Sequence, residues 1–595
     1  MINGLVPTDL ENGDAEAFSI SIDSITLQNG VTVKPPTVGV TVVVGGNNVG
    51  KSTLLRQTVE FSARHSSVIP NPARWQLVND IRFNRSGTMR DCAAWLASHF
   101  GSTVTNGMLS FNPGGEAAAK EHDVRQFFAM SSTEVDKLYA LWRFFMLRGE
   151  PLQRLGEINP QQMRENSDSP SIFPVHHLED SPSMMSELRQ ICLEVFRVDL
   201  TLDTYARMIQ LRLGERPIPV PLADAVPAEY RREVASLPSL SEQGDGMKSL
   251  IGLLLPIITA KRQIVLIDEP EAFLHPPQAS ALGRVLGELA QKKKIQVIIA
   301  THDKNLLAGL LSSEAEVSVV RLDRDLSGGS HAHQLAAEDV RILSQDPLLK
   351  HTNVLDALFH RLTVITEADR DCRFYAAALS EYEPRAEIPI PSSDVLFVPS
   401  YGKAAMYKIS KVLHKIFVPV VSFPDMDILY DETDISRLVQ SYGANWGDFK
   451  KDYKIATEPF RAAREPATVG DVLKAVQSVF SGREAEKYSG TVKKEVDAQL
   501  RTKENPWSRL KRFGDKAFEG GQAAAAGKRL LDNLEAIGIV LVRVGDLEKF
   551  APTLEVAKGP AWLSAALAAG AHKERDAREH VKRCIPKLEP HSSGQ

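Results

Sequence analysis

The segment "VGVTVVVGGNNVGKSTLLRQ", residues 38–57, allows very few folds. Val38 to Val44 is an almost unbroken β-branched run, which suits a strand buried on both faces, as strands of parallel sheets are. The residues after Ser52 favour helix. Between them stand Gly45, Gly50, Lys51 and Ser52 at the spacing G-x-x-x-x-G-K-[ST]. The glycines permit a tight loop whose amides surround phosphates, Lys51 reaches the β/γ oxygens, and Ser52 ligates magnesium. Asn47, Asn48 and Thr53 belong to the same turn and are candidate nucleotide contacts. Strand, phosphate loop and helix together imply an open α/β sheet that binds ATP at its carboxyl edge.

A chain of 595 residues has room for three or four domains at roughly 150 residues each. With 43% hydrophobic and 24% charged residues, the composition is that of an ordinary soluble protein with sizeable cores. No apolar run approaches the ~18 residues of a membrane span, and the amino end lacks the pattern of an export signal. We therefore expect a cytoplasmic protein without membrane contact. The four cysteines, Cys92, Cys192, Cys372 and Cys584, are too far apart to suggest a zinc knuckle or disulfide framework. A net charge of -5 argues against coating nucleic acid over the whole surface but permits a local basic groove.

Two later strands complete the first site. "KRQIVLIDEPEAFLHP", 261–276, ends in adjacent carboxylates. Asp268 is placed to hold the magnesium ion and Glu269 to polarise the attacking water. "IQVIIATHD", 295–303, puts His302 just past a strand end, where it can sense the γ-phosphate. Upstream, "LPSLSEQGDGMKSLIGLLLP", 237–256, sets Ser241, Gly244 and Gly246 before an apolar helix, where free amides suit phosphate. In this order the motifs resemble an ABC-type ATPase head of the overcoming-lysogenisation-defect and chromosome-maintenance groups. The resemblance implies that the serine-glycine loop completes the nucleotide site of a second copy, so that ATP binding brings dimerisation. "LSEQGDGMKS" departs from the LSGGQ of transporters. Residues 61–237 show no sustained heptads and are expected to form a mostly helical lobe, with Gln76 a candidate for coupling nucleotide to conformation.

A second strand-helix series follows. "LTVITEADRDCRFYAAALSEY", 362–382, ends its strand at Glu367 and carries Asp371 in the first helical turn. "DVLFVPSYGKAAMYKISKVLHKI", 394–416, supplies another strand and helix, and "FVPVVSFPDMDIL", 417–429, a third strand finishing at Asp425 and Asp427. Such a series makes a small parallel sheet whose carboxyl edge gathers Glu367, Asp371, Asp425 and Asp427. Four acids in one place repel one another without a cation, and an all-oxygen set suits Mg2+, with Mn2+ possible.

This arrangement resembles a Toprim domain, although Ala368 stands where the family's usual glycine follows the glutamate. An ABC-type head followed by Toprim is the order of the overcoming-lysogenisation-defect nucleases, including the nuclease subunit of Gabija phage-defence systems. The recognisable motifs cover residues 20–60, 238–320 and 360–430. The implied plan is an ATPase head at 1–60 and 238–340 with an insertion at 61–237. A Toprim domain follows at 341–437 and 534–595, with a helical, partly basic insertion at 438–533. By the same resemblance Glu548, in Gly545-Asp546-Leu547-Glu548, returns to the metal site, and Lys558 is the nuclease lysine, with Lys549 and Lys403 as rivals.

The insertion's strip "RTKENPWSRLKRFGDK", 501–516, has six basic residues interleaved with Trp507 and Phe513, a pattern able to follow a phosphate backbone and stack a base. The resulting expectation is a metal-dependent endonuclease, for DNA before RNA, gated by an ATPase that self-associates as dimer or tetramer. Its implied setting is bacterial defence against phage, with room for an accessory defence protein. A non-cleaving ATP-dependent DNA clamp and a Toprim nuclease acting on transfer RNA are the alternatives.

Overall fold

The computed structural model describes residues 10–63, 76–105, 108–112, 118–129, 134–164, 171, 173–217, 226–259, 262–324, 330–335, 338, 341–342, 354–382, 391–461, 468–500 and 506–585. The chain divides into two compact units, residues 1–350 and 351–595.

In the first unit the P-loop strand, Gly39–Val44, is buried at all six positions, as its β-branched run requires. It lies inside a six-stranded sheet, between Val317–Arg324 and Gln296–Ala300. Ile264–Asp268 and Met146–Gly149 continue the sheet on one side, and Ser330–Leu335 closes the other as its antiparallel member. The remaining pairings are parallel. Val43 pairs with Ala300, and Ala300 with Asp268, so three strands finish at one level. That register brings the P-loop, Asp268 and His302 to one edge.

An antiparallel sheet runs in the order Thr32–Val33, Ser19–Leu27, Val78–Ser86, Glu134–Val135. Two glutamines at the starts of core strands tie it on. Gln296 accepts from the Ile22 amide at 2.8 Å and donates to the Ile22 carbonyl at 2.9 Å, and Gln263 accepts from the Ile20 amide at 2.5 Å. Each satisfies backbone groups that burial would otherwise strand.

The expected mostly helical lobe at 61–237 is instead mixed. It contributes Val78–Ser86 to the antiparallel sheet and Met146–Gly149 to the edge of the ATP-binding sheet itself. The second of these has only four residues, too few for a periodic signal.

The second unit centres on Leu362–Thr366, flanked in parallel by Val395–Pro399 and Val420–Phe423. Residues near the carboxyl end extend this sheet, since Ser422 bridges Ile539 and Asp425 bridges Val542, both in parallel. Phe374, Tyr375, Phe423, Phe550 and Trp562 fill the core beneath. Among the described residues of 438–533, every regular element is helical. All four cysteines are buried and unpaired. Among the described residues, no helix is long and apolar enough to cross a membrane.

Candidate functional site

The P-loop follows its strand through Gly45 at φ 146° and Gly50 at φ 108°, with Asn48 left-handed at φ 60°. A Cβ on Gly45 would lie 2.2 Å from the Leu322 carbonyl oxygen, so close approach as well as conformation demands glycine there. Asn47, Asn48 and Ser52 are exposed at the loop and Thr53 is half-buried. Lys51 is buried, and its Nζ donates to the carbonyls of Gly45 at 2.9 Å and Gly46 at 2.8 Å. Burial pulls the Lys51 pKa down, while Glu269, Asp268 and Glu271 oppose that fall. Ser52 Oγ donates to Asp268 Oδ1 at 3.0 Å, which brings the two expected magnesium holders together. Burial raises the Asp268 carboxyl, with the Ser52 hydroxyl opposing and Glu269 reinforcing.

Beside it, Glu269 occupies the left-handed region at φ 44°, a conformation a glutamate holds only when its surroundings enforce it. Its amide donates to the Ala300 carbonyl at 2.9 Å, and its Oε1 lies 3.3 Å from His302 Nδ1. Two residues missed in the sequence hold this pair. Glu271 is buried, and its Oε1 accepts from Thr301 Oγ1 at 2.6 Å and from the His302 amide at 3.2 Å. Burial raises its carboxyl. Arg154 is buried too, and its guanidinium donates to the carbonyls of Asp268, Glu269 and Pro270. Burial lowers its pKa to about 10 despite the three carboxylates around it. Glu271 was legible as a further acid in the same motif, whereas nothing local marks Arg154.

Ser241 lies in the turn Leu240–Glu242 and its Oγ meets Ser239 Oγ at 2.9 Å, while Gly244 is exposed before the helix Asp245–Thr259. Gly246 has a packing reason: a Cβ would come 2.6 Å from the Phe273 carbonyl oxygen. Among the described residues, no hydrogen bond links these three to the P-loop, nor does Gln76, whose amide donates to the Val78 carbonyl at 3.1 Å.

In the second unit, Glu367, Asp425 and Asp427 each offer an oxygen within 4.8 Å of the others. Glu367 comes directly after the central strand, Asp425 two residues after its neighbour, and the Asp425 amide donates to Glu367 Oε1 at 3.1 Å. Asp427 is gripped by two lysines, Lys403 at Oδ1 and Lys511 at Oδ2, the latter at 2.7 Å. Burial and the neighbouring Glu367, Asp371 and Asp427 push the Asp425 carboxyl well above the usual carboxylate range. Glu367 rises for the same first reason, against the opposing Lys403.

Asp371 lies outside that group of three. Its Oδ2 accepts from the Ala368 amide at 2.9 Å, folding back on the helix start, and its Oδ1 is 3.5 Å from Arg370 Nε. Burial lifts its pKa to about 6. Arg370 reaches Glu548 Oε1 at 3.2 Å, and Lys558 Nζ bridges Asp546 Oδ2 at 2.7 Å and Glu548 Oε2 at 3.0 Å. The expected carboxylates thus form two adjoining sets. Asp546, passed over in favour of Glu548, is the more deeply buried, and among the described residues its Oδ1, like Asp371 Oδ1, accepts no hydrogen bond. Hard oxygen donors with unmet lone pairs and mutual repulsion fit divalent cations.

The aromatic strip is divided between structure and surface. Trp507 is half-buried, its ring 5.4 Å from that of Tyr430 and 5.5 Å from that of Phe460. Phe513 is 46% exposed, with the Arg512 guanidinium 5.2 Å from its ring centroid. Residues 501–505 lie outside the described residues.

A family model described as "AAA domain, putative AbiEii toxin, Type IV TA system" matches residues 134–308. The chain is 29% identical over 212 residues to the OLD nuclease of Thermus scotoductus (strain ATCC 700910 / SA-01), covering 34% of this chain and 38% of that one. It is 26% identical over 172 residues to the Old nuclease of Escherichia phage P2, covering 28% of each. The chain therefore spans less than half the length of these curated relatives. Among solved structures, the SmcHead bound to the C-winged helix domain of ScpA aligns with a TM-score of 0.32 at 12% identity, covering 54% of this chain and 99% of that one. The fold assignment stands on the strand order and register given above.

Proposed function

From the chain's fit to an OLD-family ATPase nuclease, we propose that it hydrolyses ATP and cuts nucleic acid, DNA before RNA, as a divalent-metal-dependent Toprim endonuclease. The observation that carries this reading is the convergence of Glu367, Asp425 and Asp427, from two neighbouring strands, within 4.8 Å.

In the first unit, Lys51 exchanges the Gly45 and Gly46 carbonyls for the β/γ oxygens of ATP. Ser52 and Asp268 hold the magnesium ion, and Glu269 takes the proton of the attacking water beside His302. Ser241, Gly244 and the start of the helix Asp245–Thr259 face the nucleotide of a second copy, which makes the dimer the hydrolytic unit.

In the second unit, Glu367, Asp425 and Asp427 form one cation site, and Asp371, Asp546 and Glu548 a second beside it. Divalent ions held by these acids would polarise the phosphate as Lewis acids and ease deprotonation of the attacking water. Lys558, released from Asp546 and Glu548, neutralises charge on the phosphorane. Defence against phage is the biological setting that this reading adopts.

Supercoiled plasmid incubated with Mg2+ or Mn2+ provides the test. Nicking is expected from the unaltered chain and a loss on the order of 100-fold or more from Glu367→Ala. Absence of cleavage of both DNA and RNA in every nucleotide state overturns the proposal.

A further inference from the structure

We propose that Lys511, supplied by the insertion rather than by the Toprim sheet, binds the scissile phosphate; the inference rests on the nuclease reading above. Asp427 carries two ammonium groups, Lys403 on one oxygen and Lys511 on the other. Lys403 begins the helix Lys403–Lys415, which belongs to the sheet. Lys511 comes from the short helix Ser508–Phe513, more than 80 residues farther along the chain. A divalent ion held by Glu367, Asp425 and Asp427 would need an Asp427 oxygen, and each of those oxygens already faces an ammonium group, so one of the two lysines would have to give way.

Lys511 is the group with somewhere to go. Its side chain is 43% exposed, against 24% for Lys403. The flexible four-carbon stem lets its point charge turn toward an incoming anion without backbone movement.

The backbone beneath it is fixed to the second acid set. A Cβ on Gly545, at φ 120°, would lie 2.2 Å from the Lys511 carbonyl oxygen, and one on Gly514, at φ 59°, would lie 1.9 Å from the Arg543 carbonyl oxygen. The Asp515 amide also donates to Arg543 at 2.9 Å. Two close glycine contacts and this bond hold the Lys511 segment in register with the loop that carries Asp546 and Glu548. A surface ion pair needs no such anchoring. The position fits a group that must meet a phosphate held between both acid sets. Arg512 and the exposed Phe513 follow on the same helix, so the strand leaving the cut passes a cation and a ring.

The test uses the full chain, with Mn2+ binding followed by electron paramagnetic resonance and oligonucleotide binding by fluorescence anisotropy in Ca2+. Lys511→Gln is expected to bind Mn2+ up to about 5-fold tighter, because a competing cation is gone. Its KM for DNA should rise on the order of tenfold, with kcat much less affected, and its binding should show a salt slope smaller by about 1. Lys511→Arg should restore most of the substrate affinity. A purely structural ion pair predicts weaker Mn2+ binding or an unchanged KM, and either result overturns the inference while the nuclease reading stands. If the unaltered chain binds no Mn2+ and cuts nothing, the nuclease reading fails, and the inference with it.

Discussion

Arg154 Nη2 donates to the backbone carbonyl of Asp268 at 2.5 Å and to that of Glu269 at 2.9 Å, while its Nη1 reaches Pro270 at 3.3 Å. One planar fork therefore fixes three consecutive carbonyls where Glu269 holds its left-handed φ of 44°. An ammonium group cannot reproduce that geometry. Arg154→Lys should lower ATP turnover on the order of 100-fold, the usual cost of misplacing a reacting group by about an ångström, with nucleotide affinity changed little. Steady-state hydrolysis set beside binding of a fluorescent nucleotide separates the two effects. Normal turnover in the variant would rule out the positioning role.

Asp425 is the acid most disfavoured by its surroundings, through burial first and then Glu367, Asp371 and Asp427. Asp425→Asn removes a charge from that cluster while keeping the shape. The metal-free protein should melt on the order of 2–4 °C higher, and the stabilisation expected from Mn2+ should shrink to what the second acid set and the Ser52–Asp268 site can hold. Thermal scans with and without Mn2+ read both changes. A variant that gains as much stability from Mn2+ as the unaltered chain would show that Asp425 does not hold an ion.

These two sites differ in how far local sequence foretold them. The P-loop, Asp268, Glu269, His302, Glu367, Asp425 and Asp427 all lie at strand ends, so a run of β-branched residues followed by a turn points to each. Arg154, Asp546 and Lys511 acquire their places only through closure of the chain. Arg154 meets Asp268 across 114 positions, and a lone arginine in a short helix bears no mark of that contact. For Trp507, the spacing among basic residues suggests a base-stacking ring but gives no sign of the contacts with Tyr430 and Phe460 that half-bury it. The edge strand Met146–Gly149 was missed because four residues carry too little pattern.

His580 is buried beside Phe423, Tyr375 and Phe550, and among the described residues its Nε2 accepts or donates no hydrogen bond. Burial, reinforced by Arg583 and Arg543, depresses its pKa to about 3. The unfolded chain, with an ordinary histidine near 6.5, takes up a proton that the folded chain refuses, so stability rises with pH across this interval. Acidification from pH 6.5 to 5 should therefore cost roughly 2 kcal/mol at this one group. His580→Phe removes that dependence. Denaturation at pH 7.5 and 5 should show the unaltered chain losing more stability than the variant, and equal losses would place the acid sensitivity at another residue.

Gly514 tests whether the insertion must be seated for the proposed nuclease site to work. Its φ of 59° disfavours any residue with a Cβ, and that atom would also lie 1.9 Å from the Arg543 carbonyl oxygen and 2.7 Å from the Val544 carbonyl carbon. Neither neighbour is a flexible side chain, so Gly514→Ala must displace the helix Ser508–Phe513 from the loop before Asp546. The strain alone should cost about 1–3 kcal/mol. Glu367, Asp425 and Asp427 stand on the sheet and its adjoining turn, so the stability gained from Mn2+ should survive. Substrate affinity should instead fall as it does in Lys511→Gln, because the ammonium group is no longer placed to meet the phosphate. Loss of stability with an unchanged KM would show that the insertion's seat matters for folding and not for substrate.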